Sequence, residues 1–137
     1  DNPLSPLLIA IAAGASFGAR AFAGDAPGLT RLMSDAIAHK GFAVVDVLQP
    51  CVTFDKIHTY QWYRQRVYEL GEEGYVPDNK MKAIEKAMEW GERIPIGLFY
   101  KEDKPTSEDH EPALTGEPLI KTPVAAEFLE GVLSEFI

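Results

Sequence analysis

Apolar and polar positions alternate along this chain in blocks that change period. Ser5 offers a capping hydroxyl and Pro6 stands at the first helical position, so Leu7 to Ala13 reads as a helix that Gly14 is placed to end. That helix is apolar all round, which suits a core or an interface. Phe17 to Phe22 reads as a short strand. Ala23 to Gly28, with its Gly, Asp, Pro and Gly, reads as a loop. Leu29, Leu32, Met33, Ala36 and Ile37 then recur at helical spacing, predicting an amphipathic helix that faces a core and stops at Gly41. Phe42 to Leu48 is apolar and rich in β-branched residues, as expected of a buried strand in a parallel sheet.

The second half is more mixed. Thr53 to Tyr75 is aromatic and charged, and predicts a loop followed by a helix around Tyr60 to Leu70. Tyr60, Tyr63, Val67 and Leu70 would share one side of that helix, which is a packing pattern. Asp78 is placed to cap a further helix through Glu92, with Met81, Ile84 and Met88 turned inward. Ile94 to Tyr100 reads as a strand. Lys101 to Lys121 is polar, holds three prolines and predicts a surface excursion. Thr122-Pro123 restarts a helix whose inner stripe would be Ala125, Phe128, Leu129, Val132, Leu133 and Phe136. The succession of helices and strands predicts an α/β fold. So few strands imply a sheet completed by other chain, within the subunit or from a partner.

Composition narrows the classes. At 137 residues the chain suits one domain, and 46% hydrophobic residues suffice for a core. The net charge of -8 argues against a nucleic-acid partner. The acid is concentrated: Lys101 to Ile137 carries nine Asp or Glu against three Lys, which reads as a solvated face. No run approaches the roughly 20 apolar residues of a membrane span, and one cysteine cannot close an internal disulfide, so the cytoplasm is the expected location. The chain begins at Asp1 and enters a helical run within a few residues, as expected of a piece of a longer polypeptide.

Few side chains suggest chemistry. Gln49-Pro50-Cys51 lies just past the carboxyl end of the predicted strand Phe42 to Leu48, where open α/β sheets bind ligands. A lone cysteine is most often a small buried hydrophobe. No histidine is placed nearby to make Cys51 a nucleophile, and a metal or cluster site needs about four ligands, so Cys51 is at most one ligand of a site completed elsewhere. His39, His58 and His110 show no metal-binding spacing and read as structural or surface groups. Gly14, Gly18, Gly24 and Gly28 form no dinucleotide fingerprint, and no phosphate loop is present. Glu102, Asp103, Glu108, Asp109 and Glu111 read as a solvated acidic loop.

Several phrases in order carry a resemblance. They are Asn2-Pro3-Leu4, Ala13-Gly14-Ala15-Ser16-Phe17 with Ala19-Arg20, Gly41-Phe42, and Asp46-Val47-Leu48-Gln49-Pro50-Cys51-Val52-Thr53-Phe54. Ala87-Met88-Glu89-Trp90-Gly91 and Ile94-Pro95-Ile96-Gly97-Leu98-Phe99-Tyr100 follow. Together they resemble the C-terminal part of the β subunit of a 2-oxoacid:ferredoxin oxidoreductase, of the pyruvate or 2-oxoglutarate type. The phrase from Asp46 to Phe54 is the most specific. The resemblance implies the C-terminal portion of a thiamine-diphosphate-binding fold, with a short parallel sheet flanked by helices. Residues 1–100 would belong to that domain, and 101–137 would be its acidic loop and C-terminal helix.

The resemblance also implies coenzyme A-dependent oxidative decarboxylation of a 2-oxoacid, with electrons passed to ferredoxin. Thiamine diphosphate, magnesium and a four-iron four-sulfur cluster would be the cofactors, and Cys51 would be the cluster's fourth thiolate. The other three cysteines and the Gly-Asp-Gly…Asn motif for magnesium and diphosphate do not occur in this chain. The implied partners are the α subunit, the N-terminal part of the β subunit, and ferredoxin through the complex. Ferredoxin is itself usually acidic, so its docking is not expected on the Lys101 to Lys121 face. The chain alone is expected to be inactive. The alternative is a module with the same fold remnant that serves only subunit assembly, with Cys51 inert.

Overall fold

The computed structural model describes residues 4–111, 121, 130, 131 and 133–135. The chain divides into two compact units, residues 1–104 and 105–137. The first holds helix α1 (Pro6–Ala12), strand β1 (Phe17–Phe22), helix α2 (Ala26–Ala38), strand β2 (Ala43–Leu48), helix α3 (Tyr60–Arg64), strand β3 (Val67–Glu69), helix α4 (Lys80–Met88) and strand β4 (Ile94–Lys101). The sheet runs β2-β1-β4-β3. β1 and β2 are parallel, β3 and β4 are parallel, and the two pairs meet antiparallel between β1 and β4. The α/β class expected from the sequence is the class found. The parallel sheet is realised as two parallel pairs.

β1 alone is buried at every position. Its odd-numbered side chains, Phe17, Ala19 and Ala21, pack with Leu32 of α2. On the other side α1 and α4 cover the sheet, with Leu7, Ile11, Ala83, Ala87 and Phe99 in one buried cluster. Leu7 and Ile11 are fully buried, and each contributes about 1.5–3 kcal/mol by leaving water. α1 comes so close to β1 that a Cβ on Gly18 would stand 3.0 Å from the Ile11 side chain. The glycine is what admits the helix. α1 does bury one face, yet Ile9 on it and Leu4 just before it remain 47% and 80% exposed.

Several expected boundaries move. The segment Ala23 to Gly28 is not all loop: Asp25 accepts from Gly28 N at 3.2 Å and caps α2, with a proline in its first turn. Met33 and Ile37 do not face the core; α2 turns Leu29, Leu32 and Ala36 inward. β2 is an edge strand and mostly half-buried, so its apolar run does not signal burial on both faces. The helix expected over Tyr60 to Leu70 ends at Arg64, and Val67–Glu69 is strand. Asn79, not Asp78, caps α4 by accepting from Lys82 N at 3.1 Å. α4 stops at Met88, and Met81 and Met88 point outward while Ala83 and Ala87 are buried. Small residues win the inner face there because α4 packs against α1, and long side chains have no room.

In the second unit, a single helical turn spans Glu108–His110. Asp109 accepts from Thr106 N at 2.7 Å and from its hydroxyl at 2.9 Å. Leu133, expected inward, is exposed. Ala125, Phe128, Leu129, Val132 and Phe136 lie outside the described residues. Among the described residues no helix is long and apolar enough to cross a membrane.

Candidate functional site

β2 delivers Gln49-Pro50-Cys51 at its carboxyl end, beside the end of the parallel strand β1. Cys51 is exposed. The bland expectation of a buried cysteine therefore fails here, because the strand ends at Leu48 and the chain has turned outward.

Hydrogen bonds within the loop that carries Cys51 hold its shape. Asp55 N donates to Cys51 O at 2.9 Å, and Lys56 Nζ donates to Val52 O at 2.6 Å. Asp55 Oδ1 accepts from the amides of Ile57 and His58 at 2.8 and 3.0 Å, an Asx-type turn. Asp55 Oδ2 and His58 Nδ1 lie 2.7 Å apart. The His58 amide, its ring and the Ile57 amide together hold the Asp55 carboxyl down at about 2. Thr59 then caps α3, accepting from Trp62 N at 3.3 Å. By contrast, the apolar side chains of this loop face outward: Val52, Phe54 and Ile57 are all exposed.

A second feature lies beneath the loop. Arg20, on the central strand β1, stands opposite Asp46 of β2 in register, and Arg20 Nε donates to Asp46 Oδ2 at 2.9 Å. Arg20 is 2% exposed. Its guanidinium carbon lies 5.5 Å from the Trp90 ring centre and 5.4 Å from that of Phe99, within cation–π range. Nη2 reaches Ala87 O at 3.4 Å, and Nη1 has no partner. The pair forms the floor of a groove of about 680 Å³ whose walls include Leu4, Ile9, Tyr63 and Met88. Burial first, then the charges of Asp55 and Asp46, raises the Tyr63 hydroxyl above its ordinary value.

The other expected residues fall elsewhere. His39 follows α2 and pairs with Ser16 Oγ at 2.8 Å, with its ring on Phe17. His110 lies in the second unit. Glu102 accepts from Tyr100 and pairs with Lys104; these bonds, the lysine's foremost, hold its carboxyl below the usual range. Among the described residues no three His, Cys, Asp or Glu gather into a metal-holding group. Cys51 suits the part of one cluster ligand, exposed at a strand end on a loop held by its own hydrogen bonds. Three further thiolates would have to come from other chain. Arg20 and Asp46 lie 26 positions apart in sequence, and nothing local shows that they meet. The one signal of the pair is a charged residue in the middle of each of two otherwise apolar strands.

The family model for the C-terminal region of the pyruvate ferredoxin oxidoreductase β subunit matches residues 51–115, starting at Cys51 itself. A 2-oxoacid:ferredoxin oxidoreductase β subunit of Saccharolobus solfataricus is 39% identical over 95% of this chain and 46% of its own length. The chain is similar to the C-terminal part of this β subunit. A second relative, from Aeropyrum pernix, is 42% identical over 73% of this chain and 35% of its own length. A solved 2-oxoglutarate:ferredoxin oxidoreductase from Magnetococcus marinus, with 2-oxoglutarate, coenzyme A and succinyl-CoA bound, matches with a TM-score of 0.74 and 36% identity. That match covers 80% of this chain and 38% of the solved one. The chain thus spans less than half the length of the β subunits that it matches.

Proposed function

We propose that the chain serves as the C-terminal part of a 2-oxoacid:ferredoxin oxidoreductase β subunit, and that Cys51 supplies one thiolate of a four-iron four-sulfur cluster. The whole enzyme would oxidatively decarboxylate a 2-oxoacid with coenzyme A and pass electrons to ferredoxin. The observation that carries this reading is the exposed Cys51 thiol at the carboxyl end of β2, where the family match begins.

When bound, the cluster supplies one-electron transfer, and thiamine diphosphate with magnesium supplies the electron sink for decarboxylation. No residue of this chain is assigned to thiamine diphosphate or magnesium. What the chain contributes is position. The Arg20–Asp46 bond ties β2 to β1, β2 sets the height of Cys51, and the Asp55 turn holds the loop beyond it. Val52, Phe54 and Ile57 would keep water from the thiolate once the remaining chain covers them. The α subunit and the rest of the β subunit are the partners of this reading, and ferredoxin is served through the complex.

The test is Cys51→Ser in the assembled enzyme, followed by electron paramagnetic resonance of the reduced clusters and by ferredoxin reduction. A lost or altered cluster signal with lost electron transfer is expected. An unchanged signal with full turnover would leave the chain an assembly module with an inert cysteine.

A further inference from the structure

The groove above Arg20 and Asp46 is unfinished in a specific way. A guanidinium carries five N–H donors. Here Nε serves Asp46, Nη2 has one long bond to Ala87 O, and Nη1 has none, although the residue is 98% buried. Buried donors of a charged group are costly to leave unpaired. The groove is also rimmed by large apolar side chains in the open: Leu4, Ile9, Met88 and Trp90 are 80%, 47%, 60% and 53% exposed. Such a patch around a concave floor marks a contact surface.

Two things identify the occupant. Asp46 already neutralises Arg20, so a second carboxylate would bury an excess negative charge, and a neutral oxygen fits better. Moreover, the chain covers only 46% of a matching β subunit and 38% of the matching solved chain, so more than half of such a subunit lies outside these residues and is available to cover this face. We propose that the groove seats a segment of the β subunit outside these 137 residues. That segment would lay an apolar side chain between Ile9, Met88 and Trp90 and offer a neutral oxygen, a backbone carbonyl or side-chain amide, toward the Arg20–Asp46 floor. This rests on the β-subunit reading, but not on Cys51 being a cluster ligand.

The test uses the assembled enzyme. A benzophenone amino acid at Ile9 or Met88 is photolysed, and the joined peptides are read by mass spectrometry. Adducts with β-subunit sequence outside this region are expected. Adducts with the α subunit or with a second copy of this chain, or the absence of any adduct, would overturn the proposal. Ile9→Cys, labelled with a maleimide and read on its own peptide, measures how well the groove is covered. Arg20→Met in that background is expected to raise the labelling rate about tenfold, the equivalent of one lost charge-assisted bond, and Arg20→Lys should restore part of the protection. Protection that appears only when a small-molecule extract is returned to dialysed enzyme would make the groove a ligand pocket and sink the idea. The cluster signal is recorded alongside: its loss in Cys51→Ser and its survival in Arg20→Lys keep the two readings separable.

Discussion

The loop from Cys51 to Thr59 follows β2, the strand that also supplies Asp46 to the groove floor, yet this loop and the floor at Arg20 and Asp46 are incomplete in opposite senses. The loop spends Asp55, Lys56 and Thr59 on local hydrogen bonds and leaves a thiol and three apolar side chains in water. At the floor Arg20 is buried, and its Nη1 has no partner. A loop must hold its own shape before anything docks on it, because its backbone is in solvent. A side chain in a strand is already held by the sheet and can wait for its acceptor. The loop therefore advertises chemistry, and the floor advertises packing.

The sharpest break in that comparison is Cys51→Ser, which is expected to abolish electron transfer in the assembled enzyme while leaving the fold alone, since the exposed thiol packs against no core. Next in size is Asp46→Leu. It removes the one carboxylate facing a buried guanidinium, and breaking a buried pair costs about 3–5 kcal/mol. Replacing both partners, Arg20→Met with Asp46→Leu, should recover most of that loss, because neither charge is then stranded. The urea midpoints of the single and double variants measure this. Equal losses in both would mean that the pair stabilises by its own attraction.

Smaller is the cost of closing the gap between α1 and β1. Gly18→Ala places a methyl group 3.0 Å from the Ile11 side chain, and overpacking of this kind costs about 1–3 kcal/mol. Ile11→Val in the same chain should return part of it. Additive losses in the double variant would show that the two positions do not press on each other.

How far these features were legible in advance depended on whether they are local. The cap of α1, the strand Phe17 to Phe22 and the strand end before Cys51 rest on neighbours in sequence, and they stand where expected. Tyr60, Tyr63, Val67 and Leu70 keep helical spacing and predict a helix through Val67–Glu69; pairing with β4 overrides it, with Val67 opposite Ile94. Hydrophobicity alone turns Met81 and Met88 inward, but the closeness of α1 to α4 is a tertiary fact that gives the inner face to Ala83 and Ala87. Arg20 and Asp46 lie 26 positions apart, and only the parallel register brings them together. That a single cysteine cannot by itself complete a four-ligand site follows from the count alone.

The smallest expected effect is confined to the loop and concerns pH. Asp55 is held at about 2, below the ordinary 3.8, chiefly by the His58 amide, then by the His58 ring and the Ile57 amide. A carboxyl lowered on folding lends its stabilisation fully above 3.8, and loses it as pH falls through about 2. The turn beyond Cys51 should thus persist through the mild acid range in which ordinary carboxylates protonate. In nuclear magnetic resonance titrations the Ile57 and His58 amide protons are expected to shift with a midpoint near 2. A midpoint near 3.8 would show that the carboxylate does not hold them. Asp55→Ala should move both resonances toward those of an open loop at neutral pH and leave the Arg20 side chain undisturbed. The loop has its own hydrogen bonds and the floor has a different strand partner, so a disturbance that reached Arg20 would show that β2 carries strain from one region to the other.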